Sequence, residues 1–256
     1  MKDAIRGVLF DLSGVLYVGD RAVPGAREGL ESLRRREVPV RFVTNVSRRP
    51  ARRIVADLHE MGLAIDPDDL FTAPHAAHRY LREHDLRPFL LIHQALEEEF
   101  SDLSRDAPNA VLLGDAGERF TYDNLNRAFR VLVEGAPLLT MGDNRYFRED
   151  EGLSLDIGPF AAALEYAADT RATVLGKPAP QFFAAAVASI GCKPPETVMV
   201  GDDALADVDG ALRAGLQGIL VQTGKYRSGD EARIEQPGAV VVSDVVAAVD
   251  WIVSRL

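Results

Sequence analysis

Polar side chains that suit phosphoryl transfer occur at four places, each directly after a short apolar run or its turn. These residues are Asp11, the pair Thr44 and Asn45, Lys177, and Asp202. A carboxylate can attack phosphorus, hydroxyl and amide groups can donate to the phosphoryl oxygens, and an ammonium can offset their charge. Because ligands bind beyond the carboxyl ends of parallel strands, we expect these residues to meet at one edge of a sheet.

A cation is the natural complement of this set. Asp11 and Asp202 would repel each other and a bound phosphate if no positive charge lay nearby. Magnesium accepts one or two carboxylates together with water and phosphate oxygens, which suits its octahedral coordination. The sequence therefore predicts a Mg²⁺ site.

Each segment alone has an ordinary structural explanation. Asp11 could form a turn, Thr44 and Asn45 could cap the next helix, Lys177 could lie in a loop, and Asp202 could begin a helix. Their occurrence together, in this order and each near a strand end, favours a reactive site.

Strands alternate with helices along the chain, which predicts an α/β fold with a Rossmann-like parallel sheet covered on both faces. The strands predicted for this sheet are 8–10, 38–43, one after Thr173 that runs into Gly176, 198–200 and 219–222. The predicted helices are 25–36, 50–61, 181–190 and one that ends at 214. A second α/β unit interrupts the pattern, with strands at 88–93, 110–114 and 138–141 and helices at 124–133 and 160–168. We predict a discontinuous core domain, 1–77 and 173–256, and an inserted cap domain, 78–172.

The charge and composition of the chain argue against two classes of binding partner, nucleic acids and membranes. A formal net charge of -10 argues against a nucleic-acid groove or an anionic membrane surface, because both require clustered positive charge. No apolar run is long enough for a membrane helix, and no cationic leader precedes an apolar segment. The single cysteine, Cys192, fits a reducing compartment, so we expect a cytoplasmic protein.

The four segments resemble the four motifs of the haloacid dehalogenase (HAD) superfamily, and the resemblance covers essentially the whole chain. The size and position of the inserted domain resemble class IIA, the NagD-like class that contains nitrophenylphosphatases and pyridoxal phosphatases. Further stretches are similar to the phospholysine phosphohistidine inorganic pyrophosphate phosphatases and to the neighbouring HAD-like hydrolase domain-containing proteins. Among these stretches are 11–17, 90–93, 115–118, 155–160 and 223–227.

The resemblance implies a role for each matching residue. Asp11 would be the nucleophile that forms an aspartyl-phosphate, and Asp11, Asp202 and the main-chain carbonyl of Ser13 would bind Mg²⁺. Thr44, Asn45 and Lys177 would bind the phosphoryl group. Asp203 and Asp207 would support either the metal ion or Lys177. Asp156, in the cap, would contribute to substrate specificity. Capped relatives often pair through this domain, so the resemblance implies a homodimer through the cap.

Ser13 departs from the superfamily pattern, which usually has an aspartate there as general acid and base. A hydroxyl cannot fill that role at neutral pH, and the loss is worth about 10² to 10⁴ in rate. Phosphorus-nitrogen and pyrophosphate bonds have better leaving groups, so we expect phosphoramidates such as phospholysine or phosphohistidine, including phosphohistidine proteins, and pyrophosphate as substrates.

Three alternatives stay open. Asp156 or Asp143 could replace the missing acid, the substrates could be sugar or nucleotide monoesters, or the chain could only bind phosphorylated ligands. Another lysine segment, Gly224-Lys225-Tyr226, lacks the Ser or Thr of a Walker loop and is predicted to be a surface turn.

Overall fold

The computed structural model of the protein describes residues 4–149 and 152–256. Contacts within the chain divide it into two compact units. The first unit comprises the described residues of Met1–Thr44, Ala51–Phe71 and Lys177–Leu256, and the second comprises those of Asn45–Pro50 and Thr72–Gly176. The predicted domain limits, 78 and 172, stay a prediction.

The strands of the described residues are short and largely apolar. In chain order they are β1 (Gly7–Asp11), β2 (Tyr17–Val18), β3 (Arg21–Ala22), β4 (Val40–Thr44), β5 (Leu70–Thr72), β6 (Pro88–Leu91), β7 (Ala110–Leu113), β8 (Leu138–Thr140), β9 (Tyr146–Glu149), β10 (Gly152–Leu155), β11 (Thr173–Val174), β12 (Thr197–Gly201), β13 (Gln217–Val221) and β14 (Val240–Val242).

The helices alternate with these strands in both units. The α-helices of the described residues are α1 (Ala26–Arg34), α2 (Ala51–Glu60), α3 (Ala73–Glu83), α4 (Tyr122–Val133), α5 (Ile157–Ala168), α6 (Pro180–Ser189), α7 (Gly210–Arg213) and α8 (Val245–Val253). Short 3-10 helices span Pro67–Asp69, Gln94–Phe100, Gly117–Arg119, Pro194–Glu196 and Asp230–Arg233, and a π-helix spans Ala204–Asp209. None of the helices described is both long and apolar enough to cross a membrane.

The sheet of the first unit has the strand order β14-β13-β12-β1-β4-β5. Its central strand, β1, pairs in parallel with β12 on one side and β4 on the other. Every residue of β1, β12 and β13 is buried, as expected of parallel strands covered on both faces. The predicted α/β class with a parallel Rossmann-like sheet is confirmed.

The second unit is built around a parallel four-stranded sheet of its own, with the order β11-β8-β7-β6, and around the antiparallel hairpin β9-β10. The strand predicted between Thr173 and Gly176 was wrongly assigned to the first sheet, because β11 pairs with β8. Its buried core includes Phe100, Leu112 and Leu139, which are fully enclosed. Phe120 and Phe160 stack with their ring centroids 3.7 Å apart. This unit therefore has a separate hydrophobic core.

Two helices differ from the sequence-based expectation. The helix predicted at 160–168 begins at Ile157, because the Asp156 side chain caps it and Pro159 is tolerated in a first turn. The helix predicted to end at 214 consists of the π-helix followed by α7. Wider π turns are rare and are often found at functional sites.

Candidate active site

Three polar side chains lie at the carboxyl ends of neighbouring strands in the first unit. Asp11 ends β1, Thr44 ends β4, and Asp202 follows β12. The register pairs Asp11 with Val43, directly before Thr44. Because the strands are parallel, these ends share one edge of the sheet, where ligands bind in this type of fold.

Lys177 links two carboxylates at this edge. Its Nζ lies 2.5 Å from Oδ1 of Asp11 and 2.7 Å from Oδ1 of Asp207. Burial alone would lower the pKa of Lys177, but the charges of Asp11 and Asp207 outweigh it and raise the pKa. Lys177 is therefore a protonated ammonium at neutral pH.

Asp207 is placed by the π-helix. Its second oxygen, Oδ2, accepts a hydrogen bond from the backbone N of Asp203 at 3.2 Å. The Asp203 carboxylate in turn caps the helix by accepting from the N atoms of Leu205 and Ala206. Asp203 thus shapes the turn, and Asp207 contacts Lys177.

Asp202 is buried and held by a distant turn of the first unit. Its Oδ2 accepts a hydrogen bond from the backbone N of Lys225 at 2.6 Å. Burial, assisted by the nearby charge of Asp11, raises the pKa of Asp202 to about 6. Burial, assisted by Asp11, likewise raises the pKa of Asp207 to about 7, although Lys177 opposes the shift.

These carboxylates fit a divalent cation. Asp11, Asp202 and Asp207 each bring an oxygen within 4.8 Å of the others, and all three residues are buried. The ammonium of Lys177 contacts two of these three carboxyl groups, so the cluster carries excess negative charge when all three are ionised. A doubly charged cation with oxygen ligands would offset that charge.

The other predicted residues divide between the two units. Ser13 is exposed in the loop after Asp11 and forms an isolated bridge with Tyr17. Asn45 belongs to the second unit and packs closely against Gly176. A Cβ added to Gly176 would stand 2.7 Å from Oδ1 of Asn45. The structure thus brings together Asp11, Lys177, Asp202 and Asp207, with Thr44 on the neighbouring strand, and assigns Asn45 and Asp156 to the second unit.

Asp156 has a structural function within the second unit. It is buried, and its Oδ1 accepts a hydrogen bond from the backbone N of Ile157 at 2.7 Å as the N-cap of α5. Burial raises the pKa of Asp156, and the charge of Asp115 adds to the shift. Asp115 is itself paired with Arg48, at 2.5 Å from Nε to Oδ2.

Sequence reasoning missed two groups of residues. The turn Gly224-Lys225-Tyr226 was expected at the surface, and Gly224 and Lys225 are indeed exposed. Its contacts were not predicted: the backbone N of Lys225 donates to Asp202, and the hydroxyl of the preceding Thr223 donates to the carbonyl of Gly14. The ion pair between Arg48 and Asp115, which are 67 residues apart, was also missed. The glycine-lysine turn near the end of an apolar strand was a signal for the contacts of Lys225 and Thr223. The sequence offered no signal for the ion pair between Arg48 and Asp115.

The chain matches two family models. Residues 8–104 match the haloacid dehalogenase-like hydrolase model, and residues 174–248 match the HAD-hydrolase-like model. It is 45% identical to haloacid dehalogenase-like hydrolase domain-containing protein 2 of Bos taurus, covering 100% of this chain and 98% of that protein. It is 41% identical to the human phospholysine phosphohistidine inorganic pyrophosphate phosphatase, covering 98% of this chain and 95% of that protein.

Solved structures agree with the sequence matches. The 4-nitrophenylphosphatase of Thermotoga maritima is 27% identical and superposes with a TM-score of 0.87, covering 96% of this chain and 97% of that one. The chain therefore belongs to the haloacid dehalogenase-like hydrolases, in class IIA, and is an enzyme that hydrolyses phosphoryl bonds.

Proposed function

We propose that the protein is a Mg²⁺-dependent phosphatase that works through an aspartyl-phosphate on Asp11 and prefers phosphoramidate or pyrophosphate bonds. The observation that carries this proposal is the buried pairing of Lys177 with Asp11. A buried lysine in contact with the carboxylate holds it in a fixed orientation, as a nucleophile requires.

In the proposed first step, a carboxylate oxygen of Asp11 forms a bond to phosphorus. The bond from phosphorus to the leaving group breaks, and its electron pair departs with that group. Lys177 offsets charge on the phosphoryl oxygens, while Thr44 and Asn45 donate hydrogen bonds to them. In the second step water hydrolyses the aspartyl-phosphate, releasing inorganic phosphate and restoring Asp11.

Asp11, Asp202 and the Ser13 carbonyl are the ligands we assign to Mg²⁺. When bound, the cation would neutralise charge on the phosphoryl oxygens and on the carboxylates around them. The close approach of Asp11, Asp202 and Asp207 supports this assignment. Asp207 contacts Lys177, so we assign it to holding the lysine.

Ser13 supports the choice of substrate. It offers no acid to protonate an alkoxide leaving group, so esters of alcohols should react slowly. A nitrogen leaving group can depart already protonated, and phosphate departs as a stabilised anion. The human relative whose name includes phospholysine, phosphohistidine and inorganic pyrophosphate supports the same substrate class.

The decisive experiment compares kcat/KM for imidodiphosphate, pyrophosphate and an alkyl phosphate, with Mg²⁺ and with excess EDTA. Asp11→Asn serves as the blank. We expect the first two substrates to be preferred and every rate to vanish in EDTA. A preference for sugar or nucleotide esters would contradict the substrate assignment, and no release above the blank would favour a protein that only binds phosphorylated ligands.

The resemblance also implied a homodimer through the cap, and we propose one. Three apolar side chains on the β9-β10 hairpin are highly exposed: Tyr146 at 58%, Leu153 at 62% and Leu155 at 61%. Tyr146 and Leu155 are directly paired, and Leu153 lies two residues before Leu155 on the same side of the strand. Exposed apolar clusters of this kind often mark a protein interface.

Sedimentation equilibrium of the wild type and of Leu155→Lys tests the dimer. We expect the wild type to be a dimer and Leu155→Lys to be a monomer, whereas a wild-type monomer at micromolar concentration would contradict the proposal.

A cytoplasmic location is likewise proposed and is supported by the single Cys192. Fractionating cells tests this proposal.

A further inference from the structure

We propose that the turn Thr223-Gly224-Lys225 is a positioning element of the active site. It holds Asp202 and the loop after Asp11 in the arrangement that binds the divalent cation. This inference rests on the cation requirement of the proposed function, but it concerns residues outside the four motifs that define the family. The turn acts through its backbone and one hydroxyl.

The turn makes hydrogen bonds to both parts of the site. The Thr223 hydroxyl donates to the carbonyl oxygen of Gly14 at 2.5 Å. Two residues later, the backbone N of Lys225 donates to Oδ2 of Asp202 at 2.6 Å. One short segment therefore bridges the loop after β1 and the carboxylate after β12.

Two glycines allow this close approach. Gly14 has φ +89° and Gly224 has φ +64°, both in the left-handed region that favours glycine. A Cβ on Gly14 would stand 1.9 Å from Oδ2 of Asp202, and one on Gly224 would stand 2.1 Å from the same oxygen. The carboxylate oxygen is thus enclosed by two backbones that leave no room for a side chain.

The turn is itself fixed to the sheet. It begins two residues after the end of β13, which pairs in parallel with β12. The backbone N of Tyr226 donates to the carbonyl of Thr223 at 3.2 Å, which closes the turn. The Tyr226 hydroxyl donates to Glu231 at 2.8 Å, so the segment beyond the turn is also held.

Such support should set cation affinity. Groups that orient a metal ligand are worth about 10- to 100-fold in affinity when they are removed. The side chain of Lys225 contributes little, because it is 71% exposed and its Nζ lies 3.9 Å from Oδ2 of Asp203. The Thr223 hydroxyl and the absence of a side chain on Gly224 are therefore the features to test.

The experiment measures Mn²⁺ binding to metal-free protein without substrate, by the electron paramagnetic resonance signal of free Mn²⁺. Thr223→Val should raise the Kd about tenfold or more, and Thr223→Ser should restore the wild-type value. Gly224→Ala should weaken binding further. Gly19→Ala is the matched control, because Gly19 has φ +62° and nothing within 4 Å of a Cβ.

Thermal unfolding in EDTA accompanies each titration, so that loss of fold is separated from loss of binding. If Gly224→Ala does not fold, the comparison of Thr223→Val with Thr223→Ser carries the test. A wild-type Kd in Thr223→Val would overturn the inference. Asp202→Asn is the independent check on the proposed function: undiminished Mn²⁺ binding in that variant would overturn the cation site itself.

Discussion

Lys177 and Asp207 form a buried ion pair, with 2.7 Å between Nζ and Oδ1, next to the acidic residue predicted to attack phosphorus. The lysine and Asp207 side chains are 5% and 2% exposed, so water offers neither of them a replacement partner. Removing one member of the pair would leave the other as an unpaired buried charge, which is costly.

Replacement of the lysine should therefore destabilise the protein as well as inactivate it. We expect Lys177→Met to lower the free energy of unfolding by about 3–5 kcal/mol, because it leaves buried carboxylates without their cation. Adding Asp207→Asn to that variant should recover part of the loss. Urea unfolding in EDTA measures both effects, and equal stability of wild type and Lys177→Met would refute the prediction.

The raised pKa values of Asp202 and Asp207 predict a pH dependence of stability in the metal-free protein. Their pKa values are about 6 and about 7 in the folded state, against 3.8 for a free side chain. Between about pH 4 and pH 7 the folded state binds more protons than the unfolded state, so stability falls as pH rises. Urea unfolding in EDTA across this range should show the fall, and Asp202→Asn should reduce it.

Saturating Mg²⁺ provides the second arm of that experiment. A bound cation favours the ionised carboxylates, so it should flatten the pH profile and stabilise the protein most near neutral pH. An identical slope with and without Mg²⁺ would contradict the assignment of Asp202 as a ligand.

Ser13 can be converted into the missing acid. We expect Ser13→Asp to raise the turnover of an alkyl phosphate by about 10²-fold, because the leaving alkoxide can then be protonated. Turnover of imidodiphosphate should change much less. Ser13→Asn is the matched control, since it has a similar size but no acid, and an equal gain in that variant would exclude the acid-base explanation.

Asp156 caps α5 and has a proposed role in substrate specificity. Two substitutions distinguish these two roles. Asparagine is also a good N-cap, so Asp156→Asn should keep the stability, whereas Asp156→Ala should lose about 1 kcal/mol. If Asp156 also recognises substrate, Asp156→Asn should raise KM without lowering the melting temperature. An unchanged KM and kcat would leave the residue as a helix cap alone and exclude it as the replacement acid.

The parallel sheet and the polar residues at its strand ends could be predicted because both depend on local patterns. Apolar runs such as Val8-Leu9-Phe10 define buried strands, and the polar residue at each strand end is visible in the sequence. The hairpin β9-β10 was not predicted. Apolar residues usually indicate a buried strand, but in this hairpin Tyr146, Leu153 and Leu155 are exposed.

Local residue patterns were enough to predict the α/β class, the order of the four polar segments and the unusual serine at position 13. Three contacts became visible only in the folded chain: Asp207 binds Lys177, Asp156 caps a helix, and the turn at Thr223 holds the loop at Gly14. The physical reason is that residue type and periodicity are local, whereas a hydrogen bond across 209 residues depends on which strands become neighbours.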